Sequence, residues 1–435
     1  MPTSRIARIA VAAAVAGATQ CVPPANAVAP PPIDSSRLPV AAPAAPAHRT
    51  VQREVCAVPA LDPAVSPAQL DGLDLEAVWA LTRGAGQRVA VIDTGVAPHR
   101  RLPGLVGGGD YVFTGDGAQD CDGHGTLVAG IIAAATDPAA DRFGGVAPLA
   151  TVIGIRQSSA RFGVAGDVAG VGDVDTLAKA VRTAADLGAS VINISAVACR
   201  PAGSGLDDRA LGAALAYAVE AKHSVVVAAA GNTDDGCDAG GATIVTPAWY
   251  DDYVLTVGSV DAHGAASAFT RAGPWVDVAA PGEGVLSLST VGDAMANTVG
   301  GSAVHGTSFA APVVSGLAAL IRSRFPEWTP RQVMDRITAT AHHPPGGRDD
   351  VVGAGVIDPL AAVSSEVAPH APALQGAEPA RPAPPPPLPV EPVAAPAGLH
   401  TALTGTGVLL ALLFAVLTGR TVAARRREPA APAPD

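Results

Sequence analysis

The chain has 435 residues, 49% of them hydrophobic and only 15% charged, with 48 Gly, 40 Pro and a mean hydropathy of +0.31. That is too apolar for a disordered protein and long enough for one large domain or two ordinary ones. The formal net charge is −11, and both ends are net basic, so the middle is more acidic still. Such a surface argues against nucleic acid as a partner; it is equally consistent with a preference for basic substrates and with simple solubility.

Residues 1–27 have a basic start with Arg5 and Arg8, an apolar run over 9–18, and Ala25-Asn26-Ala27 as a small-x-small cleavage pattern. They are predicted to be a secretory signal peptide. Cys21 follows Gln20 rather than a small residue, which argues against lipoprotein processing. Residues 28–60 read as a Pro-rich extension, of which 28 to about 50 resemble a solvated spacer, and 61–362 as the main folded domain.

Within that domain, short β-branched runs recur at Arg88–Asp93, 190–195, 224–230 and 254–260, and helical patterns lie between them, for example at 176–187 and 207–222. Apolar runs of this kind suit strands of a parallel sheet buried on both faces. The alternation predicts an α/β domain with a doubly wound, mostly parallel sheet and helices on both faces. In such sheets sites form at the carboxyl ends of strands, and Asp93 and Asn232 lie at or just after two such ends.

Residues 363–398 form a Pro-rich linker; its stretch 364–398 contains 11 prolines, a composition that favours an extended polyproline-II spacer. A single membrane helix is predicted over 399–419, where 401–419 carry no charge and suffice to cross a hydrocarbon core of about 30 Å. Arg420 and Arg425-Arg426-Arg427 follow in the tail 420–435. The positive-inside rule then keeps that tail cytoplasmic and exports everything before the helix. Four cysteines remain in the exported part, Cys56, Cys121, Cys199 and Cys237. In an oxidising compartment they predict two disulfides, with three pairings open to sequence alone. The absence of any CxxC spacing argues against zinc.

Three glycine-flanked segments carry chemistry: Val91-Ile92-Asp93-Thr94-Gly95, Asp122-Gly123-His124-Gly125-Thr126 and His305-Gly306-Thr307-Ser308-Phe309. Each is weak alone, because a strand-ending Asp, a His beside Gly and a Gly-Thr-Ser turn all have structural uses. In the order Asp, His, Ser they resemble the triad of the subtilisin-like serine proteases. The resemblance spans roughly residues 79–360 and includes Gly231-Asn232, Thr246-Pro247-Ala248-Trp249, Pro281-Gly282 and Gly353-Ala354-Gly355.

A serine hydroxyl needs a base to remove its proton as it attacks a carbonyl. His124 is the candidate base, able to return the proton to the leaving amine, and Asp93 would fix the imidazole tautomer. The apolar run 309–325 reads as a buried helix, so the backbone N–H of Ser308 should face outward from its N-terminus. With the Asn232 side chain it is expected to bind the oxyanion. The segment that lines the first specificity pocket in the family matches Ser195-Ala196-Val197. Val197 stands where the family has glycine, which would narrow the pocket and favour small side chains. His305 replaces a polar amide and is expected to fill the cleft wall. No calcium loop is recognisable and no cofactor or metal is expected.

The order of segments, from signal peptide through cysteine-bearing extension and protease domain to linker, membrane helix and arginine tail, resembles the mycosins. These are membrane-anchored proteases of actinobacterial type VII secretion systems. The resemblance implies an extension that wraps the domain without blocking it, with Cys56 bonded to Cys121 and Cys199 to Cys237. It implies a protein or peptide substrate, a type VII secretion membrane complex as partner, and as an alternative role a non-catalytic, stabilising part of that complex.

Overall fold

The structure, a computed structural model, describes residues 29–166, 170–233 and 243–364. These lie in the first of two compact units, Met1–Val367. The signal peptide, the linker beyond Ser364, the membrane helix, the tail and Cys237 lie outside the described residues. Among the described residues no helix is long and apolar enough to cross a membrane.

The strands longer than two residues, in chain order among the described residues, are β1 (Thr50–Gln52), β2 (Arg88–Asp93), β3 (Val106–Asp110), β4 (Thr151–Arg156), β5 (Phe162–Val164), β6 (Val191–Ile194), β7 (Ala198–Pro201), β8 (Val225–Ala229), β9 (Thr243–Thr246), β10 (Leu255–Val260) and β11 (Val278–Pro281). Seven of them form one sheet in the order β11-β10-β8-β6-β2-β4-β3, and every neighbouring pair in it is parallel. From β2 the chain crosses to the edge strand β3, comes back to β4 between the two, and then moves to β6 on the other side of β2. The crevice beyond the carboxyl ends of β2 and β6 is therefore a topological switch point.

Alternation within the apolar runs fills both faces. Ala90, Ile92, Ile153, Ile155, Ile192 and Ile194 point to one side, Val89, Val91, Val191, Val225 and Val227 to the other. The helices are α1 (Leu75–Leu81), α2 (His124–Ala133), α3 (Val174–Asp186), α4 (Arg209–Ala216), α5 (Thr307–Arg324), α6 (Pro330–Ala339) and α7 (Pro359–Val363). The first face is covered by α3 and α4 through Leu177, Val181, Leu211 and Leu215. The second is covered by α2 and α5 through Leu127, Ile131, Val313 and Leu317.

Local chemistry sets the helix ends. A capping box of Asp173 and Thr176 starts α3, and Gly188 follows its last residues in the left-handed region with φ 74°; both signals are of the kind that stop and start helices. A second box, Thr329 with Gln332, and Pro330 in the first turn begin α6. The helix expected over 207–222 is α4 continued by a π-turn at Tyr217–Ala221.

The extension, expected as a spacer over 28 to about 50, is mostly exposed over residues 29–49 yet touches the domain at defined points. Leu38 and Ala44 pack against the α3 face, and Arg182 donates to the Pro39 carbonyl at 2.7 Å. Strand β1 pairs antiparallel with β5. Apart from a single turn at Ser35–Arg37, capped by Asp34, the stretch before β1 has no regular structure, which leaves carbonyls such as that of Pro39 available to the domain surface. Cys56 is bonded to Cys121. Cys199 is disulfide-bonded as well.

Candidate active site

Each candidate side chain stands at an element end. Asp93 is the last residue of β2, His124 the first of α2, and Ser308 the second of α5. The three segments, distant in the chain, meet in one hydrogen-bonded row. Asp93 Oδ1 lies 2.8 Å from His124 Nδ1, and His124 Nε2 lies 2.9 Å from Ser308 Oγ. Asp93 is buried, whereas the His124 side chain is 31% exposed and Ser308 is half-buried. The alcohol is thus open to an approaching carbonyl. Phe309 packs against the imidazole with ring centroids 4.9 Å apart.

Close approach of backbone makes this possible. A Cβ on Gly125 would come within 2.1 Å of the Gly95 carbonyl oxygen and 3.1 Å of Asp93 Cβ. Only glycine lets the first turn of α2 reach the end of β2 at that distance.

Asp120 fastens the same junction and was not singled out by sequence reading. Its Oδ1 accepts from Thr94 Oγ1 at 2.8 Å, Gly123 N at 2.8 Å and Asp122 N at 3.2 Å. Its Oδ2 accepts from Thr126 N at 2.9 Å and Thr126 Oγ1 at 2.6 Å. Thr94 Oγ1 in turn accepts from Gly125 N at 2.9 Å. One carboxylate therefore caps the N-terminus of α2 and ties it to the residue after Asp93, where the helix dipole favours negative charge. Its position four residues before His124 was the signal available in the sequence. Burial pushes the Asp120 carboxyl up to about 6, against the opposing effect of the Thr126, Gly123 and Thr94 hydrogen bonds.

Burial disfavours protonated His124, but the charges of Asp93, Asp120 and Asp122 and the Asp93 hydrogen bond outweigh it, and its pKa lies above the ordinary 6.5. A base must be neutral to accept a proton, so activity rises with pH through that value. The acid limb of kcat/KM is expected above the usual imidazole midpoint, and Asp120→Asn is expected to move it down. A pH–rate profile with a limb below 6.5 in the unsubstituted protein, or one unmoved by Asp120→Asn, would contradict this assignment of charges.

Asn232 is oriented by α5. Its Oδ1 accepts from Thr307 N and Thr307 Oγ1, both at 3.0 Å. A Cβ on Gly306, whose φ is 144°, would lie 3.2 Å from both Asn232 Nδ2 and Ser308 Oγ. The amide N–H groups and the alcohol therefore border the same small volume, which a glycine keeps open. That is where negative charge would develop on a carbonyl attacked by Ser308.

Ser195, expected to line the pocket, also serves the site through its side chain. It is buried, and its Oγ donates to the Ser308 carbonyl at 3.0 Å while accepting from Asn193 Nδ2 at 2.8 Å. Ser315 Oγ holds Asn193 Oδ1 at 2.8 Å. The reason lies in Pro312, inside α5. With no N–H, it leaves the carbonyl four residues earlier, that of Ser308, without its helical donor. Ser195 supplies the missing bond. Ala196 and Val197 follow, half-buried, and Val197 packs against the core. His305 is exposed and leans on Phe269 with ring centroids 5.1 Å apart.

The extension passes beside this site. Ala57 N donates to the Cys121 carbonyl at 2.8 Å, and Pro59 packs over Gly123, the residue before His124. Among the described residues no group of three or more His, Cys, Asp or Glu is placed to hold a metal ion.

Comparison with known proteins agrees with this geometry. A family model described as the subtilase family matches residues 84–355. Mycosin-4 of Mycobacterium tuberculosis is 58% identical over 99% of this chain and 98% of its own length. The MycP3 protease from the type VII (ESX-3) secretion system superposes with a TM-score of 0.72 at 43% identity, covering 78% of this chain and 100% of that one. A chain of an intact ESX-5 inner membrane complex gives a TM-score of 0.73 at 40% identity, covering 91% and 100%. On the strength of the Asp, His and Ser segments, the parallel sheet that brings them together and these likenesses, the chain belongs to the subtilase family of serine proteases, in its mycosin branch.

Proposed function

We propose that the protein is a serine endopeptidase that cleaves exported protein substrates at the outer face of the cytoplasmic membrane, held there by the helix 399–419 and associated with a type VII secretion complex. The hydrogen-bonded row Asp93–His124–Ser308 carries this reading. Ser308 attacks the scissile carbonyl while His124 takes its proton, and Asp93 stabilises the imidazolium. The Asn232 amide and the Ser308 N–H receive the oxyanion, and His124 then protonates the leaving amine. The partner assignment is supported by relatives found in an ESX-5 inner membrane complex and its periplasmic assembly.

The test is covalent labelling of the protein by a serine-directed phosphonate. Labelling of Ser308 is expected, and its absence in well-folded protein would remove the enzymatic reading. The second reading, a non-catalytic stabilising component of the membrane complex, is favoured by the same two relatives and would then stand alone.

Within the enzymatic reading, the half-buried Val197 where the family has glycine supports a narrow first pocket. A peptide library is expected to show cleavage after small side chains, and preference for large aromatic residues would overturn that point.

A further inference from the structure

A groove of about 870 Å³ lies between the segment leading into α1, the helix itself and the loop around Phe143. Its lining includes none of the residues placed above in the candidate site. Leu70, Leu75, Trp79, Phe143 and Met295 form an apolar floor, and Leu61 on its border is 56% exposed. Exposed apolar surface gathered in a concavity marks a place where something binds.

The border of the groove is negative. Asp62, Asp71, Asp74 and Glu76 line it, and among the described residues none of the four has an ion-pair partner, unlike Glu54, Asp137, Asp186 and Asp207, which each sit on an arginine. Asp74 stands at the start of α1 yet makes no capping bond. Arg142 is the basic side chain on the border, while Asp141 is taken up by Arg101.

A buried amide fixes the chain beneath the floor. Gln69 is 2% exposed and its Nε2 donates to the Pro281 and Phe309 carbonyls at 2.9 and 2.8 Å. That fixes the amide, and its Oε1 is buried with no hydrogen-bond partner.

We propose that this groove docks a segment of a partner protein in which arginine or lysine residues flank large apolar side chains. The apolar side chains would cover the floor and the cations would meet the four carboxylates, an arrangement that steers encounter and rejects acidic competitors. The proposal does not depend on proteolysis.

The test uses the full chain carrying Ser308→Ala, so that no probe is cut. The probe is a fluorescein-labelled peptide of arginines alternating with leucine pairs, and its control has glutamates in place of the arginines. Binding of the basic peptide at about micromolar Kd is expected, weakening as salt is raised. Asp71→Arg with Glu76→Arg is expected to weaken it about tenfold or more, whereas Asp252→Arg with Asp335→Arg, on a separate acidic surface, is expected to leave it unchanged. A photo-crosslinking version should mark residues 61–79 or 141–144 in protein with the groove unaltered, a readout that survives misfolding of any charge variant. Equal binding of the acidic peptide, equal loss in the Asp252 and Asp335 variant, cross-links elsewhere or no binding would each overturn the proposal. So would self-association of the chain that Asp71→Arg with Glu76→Arg abolishes, since the occupant would then be a second copy.

Discussion

Ser308→Ala is expected to lower hydrolysis of an activated ester or peptide substrate by about 10⁴-fold or more and to abolish phosphonate labelling. The magnitude is that of related triads and follows from their cooperation: without the alcohol, neither the imidazole nor the carboxylate has a nucleophile to activate. The residual rate would come from the oxyanion donors and from binding. Stability should hardly change, because the Ser195 bond goes to the Ser308 carbonyl rather than to its side chain. In cells the same variant separates the two proposed roles. Processing lost with secretion preserved is the expected pattern if the protein also serves as a component of the complex, whereas loss of secretion makes cleavage itself necessary. A variant that hydrolyses substrate at the original rate would end the enzymatic proposal.

Asn232→Ala is expected to lower kcat by about 10² to 10³ with KM little changed, the range measured for removing one such donor in a related protease. The side chain has a second task, since its Oδ1 accepts from Thr307 N and Thr307 Oγ1 at the start of α5. Alanine removes both functions and should also lower Tm. Asn232→Asp keeps the acceptor and replaces the donor with negative charge facing the developing oxyanion. It should retain Tm and lose at least as much kcat. Equal losses of Tm in the two variants, or a change confined to KM, would place Asn232 in the scaffold and leave oxyanion binding to the Ser308 amide.

Much of the fold could be read from the chain because its signals are local. The runs at 89–92 and Val225–Ala229 are apolar without interruption, which a strand covered on both faces requires, and both are buried in the central sheet. The Asp93, His124 and Ser308 segments carried their own glycines, whose use becomes visible where Gly125 touches Gly95 and Gly306 separates Asn232 from Ser308. The composition of the extension lacks a period and by itself points only to a spacer. What holds it are contacts with distant residues, such as Arg182 to Pro39.

The amino-acid order alone specified the family and the strands and marked Asp93, His124 and Ser308 as the candidates, since these depend on short motifs and on hydrophobic period. Three-dimensional packing decided the rest. It made Ser195 a donor to the carbonyl that Pro312 leaves bare, Asp120 the clasp between β2 and α2, and Gln69 the base of an acidic groove. Each of these roles belongs to a hydrogen bond or a concavity whose parts come from far along the chain, as with Gln69 and Phe309, 240 residues apart. A partner at such a distance leaves no mark on the residues beside it, so only the folded chain shows which donors and acceptors it has matched.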